Sequence, residues 1–406
     1  MQALQFNVDV PRFIAAKALG TVLGQQAFCR GPTKTLSLVD IAEPRLPGPD
    51  WVKIQTAYCG FCGSDLNLIF LHDSPTASPF TSFPCIIGHE AVGQIAETGS
   101  AVDDLSAGDR VAVNPILSCK VRGISPVCQS CAAGRPGNCE NYAEGDFPPG
   151  MFLGINRRLN GGFAPYMAAH RSQVYRLPGE LTTETAVMAE PAAVALQAVL
   201  DNLPAPDERV LVIGGGVIGN LMIQTARAVA PNCHISVIEP SAFAADTARQ
   251  TGADEIIAAK EVFSRTAAIT NARIYKPMLG MEIAAGGFAR IYDAVGSSST
   301  LNLSMRLLAA TGTLSVVGIG GDVKLDLTPL WLKLQTVKGA YAYGRVTVDG
   351  QVRDVFELAL EFMAEGKIDA GRLVTHKFHL SDYRQMIAVN SDKARHQAFK
   401  TVAAFQ

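Results

Sequence analysis

The stretch R-V-L-V-I-G-G-G-V-I-G-N, residues 209–220, decides the fold of this 406-residue chain. Its first five residues form a strand-like run, and a helical pattern over residues 220–230 follows the glycines. Gly214, Gly216 and Gly219 have the spacing G-x-G-x-x-G between these two patterns. Such a loop needs glycine for its tight turn, for close approach of a pyrophosphate and for packing of the helix on the sheet. The stretch therefore predicts a dinucleotide-binding βαβ unit.

The sequence around this unit repeats the alternation of strand and helix. Strand-like runs at 234–238, 290–294 and 313–317 alternate with alanine-rich helical patterns, which is typical of a doubly wound parallel sheet. Glu239 ends the second run, 239 − 219 = 20 residues after Gly219, where an acidic residue binds the ribose 2′-hydroxyl. Because a carboxylate would repel a 2′-phosphate, we expect NAD rather than NADP. The alternative is a glycine-rich turn beside a solvated glutamate.

Four further residues are expected near the cofactor because of where they fall in these patterns. Val217 and Ile218 are the two residues between Gly216 and Gly219, and Gly296 and Gly318 come just after strand-like runs. In open α/β sheets, ligands bind at the carboxyl ends of the strands.

Composition and charge narrow the class of protein. The 35 basic and 37 acidic residues give a net charge of −2, which argues against a nucleic-acid or anionic-membrane partner. Residues 12–23 are basic and free of acids, as in a transit sequence, but the N-terminus lacks the pattern of a secretory signal. We therefore expect a cytoplasmic protein. Nine cysteines, an odd number, fit metal binding or chemistry better than a disulfide framework. Two stretches, 7–33 and 264–288, are predicted to be loops or insertions.

Three short motifs could together form a metal site. They are C-G-F-C-G-S-D at 59–65, G-H-E at 88–90 and A-E-P at 189–191. Thiolate, imidazole and carboxylate are ligands of zinc, and three protein ligands with one open position are typical of a catalytic site. The motifs are far apart in sequence, so a buried cysteine with a hydrogen-bonded histidine remains the alternative.

Taken in chain order, these motifs resemble those of the zinc-dependent alcohol dehydrogenases of the medium-chain dehydrogenase/reductase superfamily. The similarity includes G-D-R-V at 108–111, a group of cysteines and E-P-x-x-V at 190–194, and it runs from about residue 36 to the C-terminus. The E-P form resembles the polyol, threonine and secondary-alcohol branch. The resemblance implies a Rossmann domain, 189–344, flanked by a discontinuous β-rich, chaperonin-10-like catalytic domain, 1–188 and 345–406. It also implies a homodimer or homotetramer.

The resemblance also assigns roles at the catalytic zinc. The implied ligands are Cys62, His89 and Glu190, with Glu90 either coordinating directly or exchanging with water. Asp65 corresponds to the carboxylate that orients the ligand histidine, and Ser64 to the hydroxyl that receives the alcohol proton. Asn67 stands where many relatives carry the histidine that ends the proton relay, so the relay would end at water or at His72.

A second zinc site and one further cofactor contact follow from the same resemblance. The implied structural-zinc ligands are Cys119, Cys128, Cys131 and Cys139. Cys119 replaces the usual first cysteine, whose position holds Ser125. A longer loop can still close a tetrahedral site; the alternative is a lobe of three thiols without metal. Lys400 stands where relatives place a basic residue near the cofactor pyrophosphate.

These observations predict a zinc- and NAD-dependent dehydrogenase that oxidises a secondary alcohol reversibly. Phe70, Phe80 and Phe83, in a loop before His89, suggest an alcohol that is cyclic or aryl rather than a small polyol. Two alternatives remain, a zinc-free enoyl or quinone reductase of the same superfamily and a non-catalytic NAD-binding protein on this scaffold.

Overall fold

The computed structural model describes residues 1–318 and 321–405. In the first part of the chain the strands β1 to β8 are, in order, Gln2–Phe6, Leu36–Asp40, Trp51–Phe61, Cys85–Ile86, Glu90–Thr98, Arg110–Val113, Tyr166–His170 and Val174–Arg176. The helices α1 to α5 of the same part are Val10–Leu23, Gln26–Cys29, Gly63–Ile69, Gln129–Ala132 and Thr183–Ala186. Within the described residues, no helix is both long and apolar enough to cross a bilayer.

The middle of the chain alternates helices and strands. Its helices α6 to α11 are Ala189–Leu200, Val217–Val229, Ala242–Gln250, Val262–Thr270, Ser298–Leu307 and Thr328–Leu332. Its strands β9 to β16 are Arg209–Ile213, His234–Ile238, Glu255–Ile257, Arg273–Tyr275, Ile283–Ala285, Phe288–Asp293, Leu308–Val316 and Thr336–Gly339. The last part of the chain adds the strands β17 to β20, Arg345–Val348, Gln351–Asp354, Val374–His379 and Lys400–Ala404, and the helices α12 to α14, Val355–Ala364, Tyr383–Ser391 and Lys393–His396.

The middle segment forms a six-stranded parallel sheet in the order β11-β10-β9-β14-β15-β16. This is the 3-2-1-4-5-6 order of a dinucleotide-binding fold, in which the cofactor binds across the crevice where the strand order reverses. That point lies between β9 and β14, directly after the glycine-rich stretch. Buried apolar residues from both faces of the sheet form its core, since β9 is buried from Val210 to Ile213. The doubly wound fold class is therefore confirmed.

A second, mixed sheet holds the cysteine and histidine motifs. Its strands run in the order β19-β20-β3-β5-β6-β8, and β7 pairs with β3. Strands β19 and β20 come from the end of the chain, so the β-rich domain is assembled from both sides of the Rossmann sheet. A smaller sheet, β2-β1-β4, leads into the His89 motif.

Both stretches that were predicted to be loops contain regular structure. Residues 7–33 include α1 and α2, and residues 264–288 include the end of α9 and the antiparallel hairpin β12–β13. Helix α1 was not predicted because its outer face is apolar. Val10, Ile14 and Val22 lie on this face and are 72%, 63% and 82% exposed. Without a polar face, the 3.6-residue period that marks a surface helix is missing.

Candidate active site and zinc sites

The glycine-rich loop has the backbone shape that a dinucleotide requires. Gly214 has φ +91°, a conformation that residues with a Cβ rarely adopt. A Cβ at Gly219 would lie 1.8 Å from the carbonyl oxygen of Gly214, so α7 can begin against the end of β9 only with glycine there. At Gly216 a Cβ would meet nothing within 4 Å. The loop therefore presents open space at the helix N-terminus, where backbone N–H groups and the helix dipole favour a phosphate.

Glu239 closes one side of this loop. Its Oε2 accepts a hydrogen bond from the Gly215 N–H at 2.6 Å, and its Oε1 accepts one from the Ser241 N–H at 2.7 Å. The carboxylate is thus fixed at the carboxyl end of β10, beside the glycines that would hold the pyrophosphate.

The predicted contacts after β14 and β15 lie at the same edge of the sheet. Asp293 accepts hydrogen bonds from the N–H groups of Val295 and Gly296, both at 2.9 Å. A Cβ at Gly318 would lie 2.4 Å from the carbonyl carbon of Val295, so these two turns are in contact. Val217 and Ile218 form the first turn of α7. The structure thus brings the predicted cofactor residues of the nucleotide domain to one edge of the sheet.

Cys62, His89 and Glu90 form the catalytic cluster, whose ligand atoms all lie within 4.8 Å of one another. Cys62 caps the N-terminus of α3, where its N–H donates to Asp65 Oδ2 at 2.8 Å. The other Asp65 oxygen lies 3.7 Å from His89 Nδ1, and Ser64 Oγ lies 3.4 Å from His89 Nε2. One turn of helix therefore places a thiol, a hydroxyl and a carboxylate around a single imidazole.

Acidic groups surround this imidazole in a buried setting. Burial alone would lower the pKa of His89, but Asp65 and Cys62 raise it to about 10. Burial raises the pKa of Glu190 to about 7, and Glu90 adds to the rise while His89 opposes it. Glu190 is thus close enough to interact with the catalytic cluster, although among the described residues it falls outside the 4.8 Å group. A thiol, an imidazole and several carboxyl groups gathered away from water form a donor set that fits a divalent cation.

Lys400 lies beside this cluster. Its ammonium donates to both carboxylate oxygens of Glu90, at 2.5 and 2.6 Å, and both side chains are almost completely buried. Burial would lower the pKa of Lys400, but Glu90 and Cys62 raise it above its usual value. The contact of Lys400 with the cofactor stays a prediction, and the structure adds its contact with Glu90. The cause is register: β20 and β5 both pair with β3, which brings their side chains together across Gly60.

Gly60 makes room for this ion pair. A Cβ at this position would lie 2.0 Å from Glu90 Oε2. Sequence reasoning missed both Gly60 and the ion pair, because Glu90 and Lys400 are 310 residues apart and no local pattern connects them.

The four cysteines of the second cluster, which we call the cysteine lobe, are brought together as the resemblance implied. Cys119, Cys128, Cys131 and Cys139 have sulfur atoms within 4.8 Å of one another. The Cys119–Cys139 and Cys128–Cys139 sulfur distances are 3.6 and 4.0 Å. A tetrahedral zinc with Zn–S bonds of about 2.3 Å separates its sulfurs by roughly 3.8 Å. The cluster therefore fits one zinc ion.

Backbone N–H groups prepare one thiol of the lobe, that of Cys128, for a cation. The N–H groups of Cys131 and Glu140 donate to Cys128 Sγ at 3.5 and 3.4 Å. Burial would raise the pKa of Cys128, but these hydrogen bonds lower it to about 7. A thiol that loses its proton near neutral pH is a better metal ligand.

The cysteine lobe packs on the segment that leaves the Rossmann sheet after β16. The Arg345 N–H donates to the Gly134 carbonyl at 2.8 Å, and a Cβ at Gly137 would lie 2.6 Å from Ala342 Cβ. Tyr343 in this segment is buried, and burial together with Glu190 raises its pKa. The segment thus lies between the structural cysteines and the catalytic cluster, a contact for which the sequence carries no motif.

Two of the three phenylalanines expected to shape the substrate pocket pack elsewhere. Phe70 is buried against Phe28 at a ring distance of 5.8 Å, and Phe83 packs edge-to-face on Phe6 at 4.9 Å. Phe80 is 38% exposed beside Tyr142. Phe70 is therefore a core residue, and the suggestion of a cyclic or aryl alcohol rests on Phe80 and Phe83 alone.

Comparison with known proteins agrees with this geometry. Residues 48–179 match the alcohol dehydrogenase GroES-like domain, and residues 217–365 match the zinc-binding dehydrogenase domain. The chain belongs to the zinc-binding dehydrogenase family. This zinc-binding dehydrogenase is therefore the oxidoreductase that the motifs predicted, and its resemblance to the medium-chain alcohol dehydrogenases is confirmed.

Curated relatives of this zinc-binding dehydrogenase include two enzymes of 29% identity. L-idonate 5-dehydrogenase of Vitis vinifera matches over 354 residues, 86% of each chain. (R,R)-butanediol dehydrogenase of Bacillus subtilis matches over 366 residues, 86% of this chain and 91% of the relative. Two solved structures, each 25% identical with a TM-score of 0.71, cover 91% of this chain and 96% of theirs. They are 2R,3R-butanediol dehydrogenase from Bacillus subtilis and a zinc-binding dehydrogenase from Sinorhizobium meliloti bound to NADP.

Proposed function

We propose that this protein is an alcohol dehydrogenase that uses NAD and a catalytic zinc to oxidise a secondary alcohol of the diol or polyol type to a ketone, reversibly. The observation that carries the proposal is the catalytic cluster of Cys62, His89 and Glu90, with the Ser64 hydroxyl beside the same imidazole. The names of the relatives, which act on butanediol and idonate, support the substrate class.

The residues of the site have different roles in this reaction. Cys62, His89 and Glu190 would hold zinc, with Glu90 as a fourth donor or a partner that exchanges with water. When bound, the metal would lower the pKa of the alcohol hydroxyl, and NAD would accept the hydride. Ser64 would accept the hydroxyl proton and pass its own proton to water, and its Oγ stands at the cluster, 3.4 Å from His89 Nε2. Asp65 orients His89 through Nδ1, as carboxylates beside metal-binding histidines do.

A panel of alcohols tests the proposal. With wild-type enzyme we expect NADH formation from 2R,3R-butanediol and sorbitol. We expect no reduction of enones or quinones, because a donor cluster rich in acids is suited to a metal and not to a metal-free reductase. NADH absorbance is the readout. Enone or quinone reduction without alcohol oxidation would favour the zinc-free reductase, and the lack of any turnover by protein of full zinc content would favour the non-catalytic protein.

The preference for NAD is a separate prediction of the Glu239 geometry. We expect the ratio of kcat/KM for NAD over NADP to fall at least about tenfold in Glu239→Ser, about 1.4 kcal/mol, because the carboxylate that repels a 2′-phosphate is gone. Steady-state kinetics with both cofactors measure this ratio. Glu261→Ser, at an exposed acid of the same domain, is the control. A wild-type enzyme that prefers NADP, the cofactor of the Sinorhizobium meliloti structure, would contradict the prediction.

We infer that the enzyme is cytoplasmic and forms a homodimer or homotetramer. Strand β16 is an edge of the Rossmann sheet, and Trp331 and Leu334 beside it are 76% and 75% exposed. A free strand edge with large apolar neighbours suits pairing with a second copy of the chain. Light scattering measures the molar mass in solution, and a monomer at working concentration would refute the inference.

A further inference from the structure

The N-terminal segment, residues 7–35, is attached to the chain that follows the catalytic helix α3. Lys17 Nζ donates to the Leu71 carbonyl at 3.0 Å, and Thr35 Oγ1 donates to the Ile69 carbonyl at 2.7 Å. The Phe28 ring packs edge-to-face on Phe70, 5.8 Å between centroids. Three contacts from one segment therefore fix the residues that follow directly on Ser64 and Asp65.

These residues, 70–73, form what we call the rim loop, because they reach from α3 to the nucleotide domain. A Cβ at Gly321 would lie 3.2 Å from the His72 carbonyl oxygen, so the rim loop touches the turn beyond β15. On its other side, the His72 N–H donates to the Asn67 carbonyl at 2.7 Å. The rim loop thus connects the helix that carries Ser64 to the chain just beyond β15, at the edge of the sheet where the cofactor is expected.

The backbone of the rim loop needs external support. Leu71 has φ +55°, in the left-handed region that a leucine rarely adopts. The Lys17 ammonium donates to the carbonyl of this same residue, and a hydrogen bond from a charged donor is stronger than a neutral one. An unfavourable conformation that is held by a charged side chain from another segment is expected to relax when that side chain is removed.

We propose that the N-terminal segment sets the shape of the substrate cleft, and that Lys17 is the positioning residue that holds the rim loop in place. Lys17 acts through the Leu71 carbonyl and takes no part in proton or hydride transfer. The inference rests on the proposed alcohol dehydrogenase function, and it makes the substrate specificity of the site depend on a segment outside both matched family domains.

Lys17→Met tests the proposal, because methionine keeps much of the side-chain length and removes the donor. We expect the KM for 2R,3R-butanediol to rise about five- to tenfold while kcat stays within about twofold, since Ser64 and the catalytic cluster are untouched. The KM for NAD and the zinc content should not change. Lys17→Arg, which restores a charged donor, should return the KM to within about twofold of wild type. Lys34→Met, at an exposed lysine of the same segment, is the control.

Other outcomes overturn the proposal. An unchanged KM in Lys17→Met refutes it, and so does a lower melting temperature without any KM shift, because that result means a purely structural contact. If the wild-type protein oxidises no alcohol, the proposed function fails by itself. Hydrogen exchange then decides the positioning role: faster exchange at the Leu71 and His72 amides in Lys17→Met supports it, and unchanged exchange refutes it.

Discussion

Cys62→Ala is expected to abolish alcohol-dependent NAD reduction, with a loss of at least about 10³-fold in kcat. Its thiolate is the one sulfur in the catalytic cluster, and alanine leaves His89 and the carboxylates without the ligand that completes the set. Zinc per subunit should fall from about two to about one, because the cysteine lobe keeps its own ion. Elemental analysis and NADH absorbance on the same preparation measure both effects.

Two matched variants separate the two clusters. Cys29→Ala removes a partly exposed cysteine that belongs to neither cluster in the described structure, and it should keep full zinc and activity. Cys128→Ser should lose the other zinc and lower the melting temperature while retaining measurable activity, since the cysteine lobe contacts Ala342 and Arg345 rather than Ser64. One zinc that persists in Cys62→Ala alongside full activity would refute the proposed chemistry.

Lys400→Met is expected to destabilise the protein by about 3–5 kcal/mol, because it leaves the buried Glu90 carboxylate without its cation. The free energy of unfolding in urea, measured at constant zinc, gives this value. Glu90→Gln combined with Lys400→Met removes both charges and should recover a substantial part of the loss, since neither residue is then a buried ion.

The ion pair of Lys377 and Glu184 is a control for this experiment. Its atoms are also 2.5 Å apart, but the two side chains are 49% and 38% exposed. Lys377→Met should therefore lower the free energy of unfolding by less than about 1 kcal/mol. If Lys400→Met lowers the free energy of unfolding no more than Lys377→Met does, burial does not decide the strength of these ion pairs. The role given to Lys400 is then wrong.

The parts of the molecule that were predictable from sequence are those with local signals. Gly214, Gly216 and Gly219 lie within six residues of one another, and the strand and helix that position them adjoin them in the chain. The same holds for Cys62, Ser64 and Asp65, which share one turn of α3. In such cases backbone geometry alone sets which side chains meet.

The features that the sequence did not predict depend on tertiary register. The Glu90–Lys400 pair needs β5 and β20 on either side of β3, and nothing near Lys400 indicates that pairing. Phe70 and Phe83 illustrate the opposite error, since aromatic residues in a loop before a metal ligand suggested a pocket, yet Phe70 is buried in the core and Phe83 packs half-buried against it. The apolar character of a side chain does not show, without the fold, whether it packs in the core or binds a ligand.

The position of β20 between β19 and β3 has a consequence for biosynthesis. The ribosome makes Glu90 310 residues before Lys400, which at about 5–20 residues per second is an interval of roughly 15 to 60 s. Throughout that time the nascent chain holds Glu90 without its lysine, and β3 lacks one of its neighbours. The β-rich domain can therefore reach its final form only after β20 has been synthesised. Premature termination before Lys400 would yield a chain with every proposed zinc ligand present and its β-rich domain still incomplete.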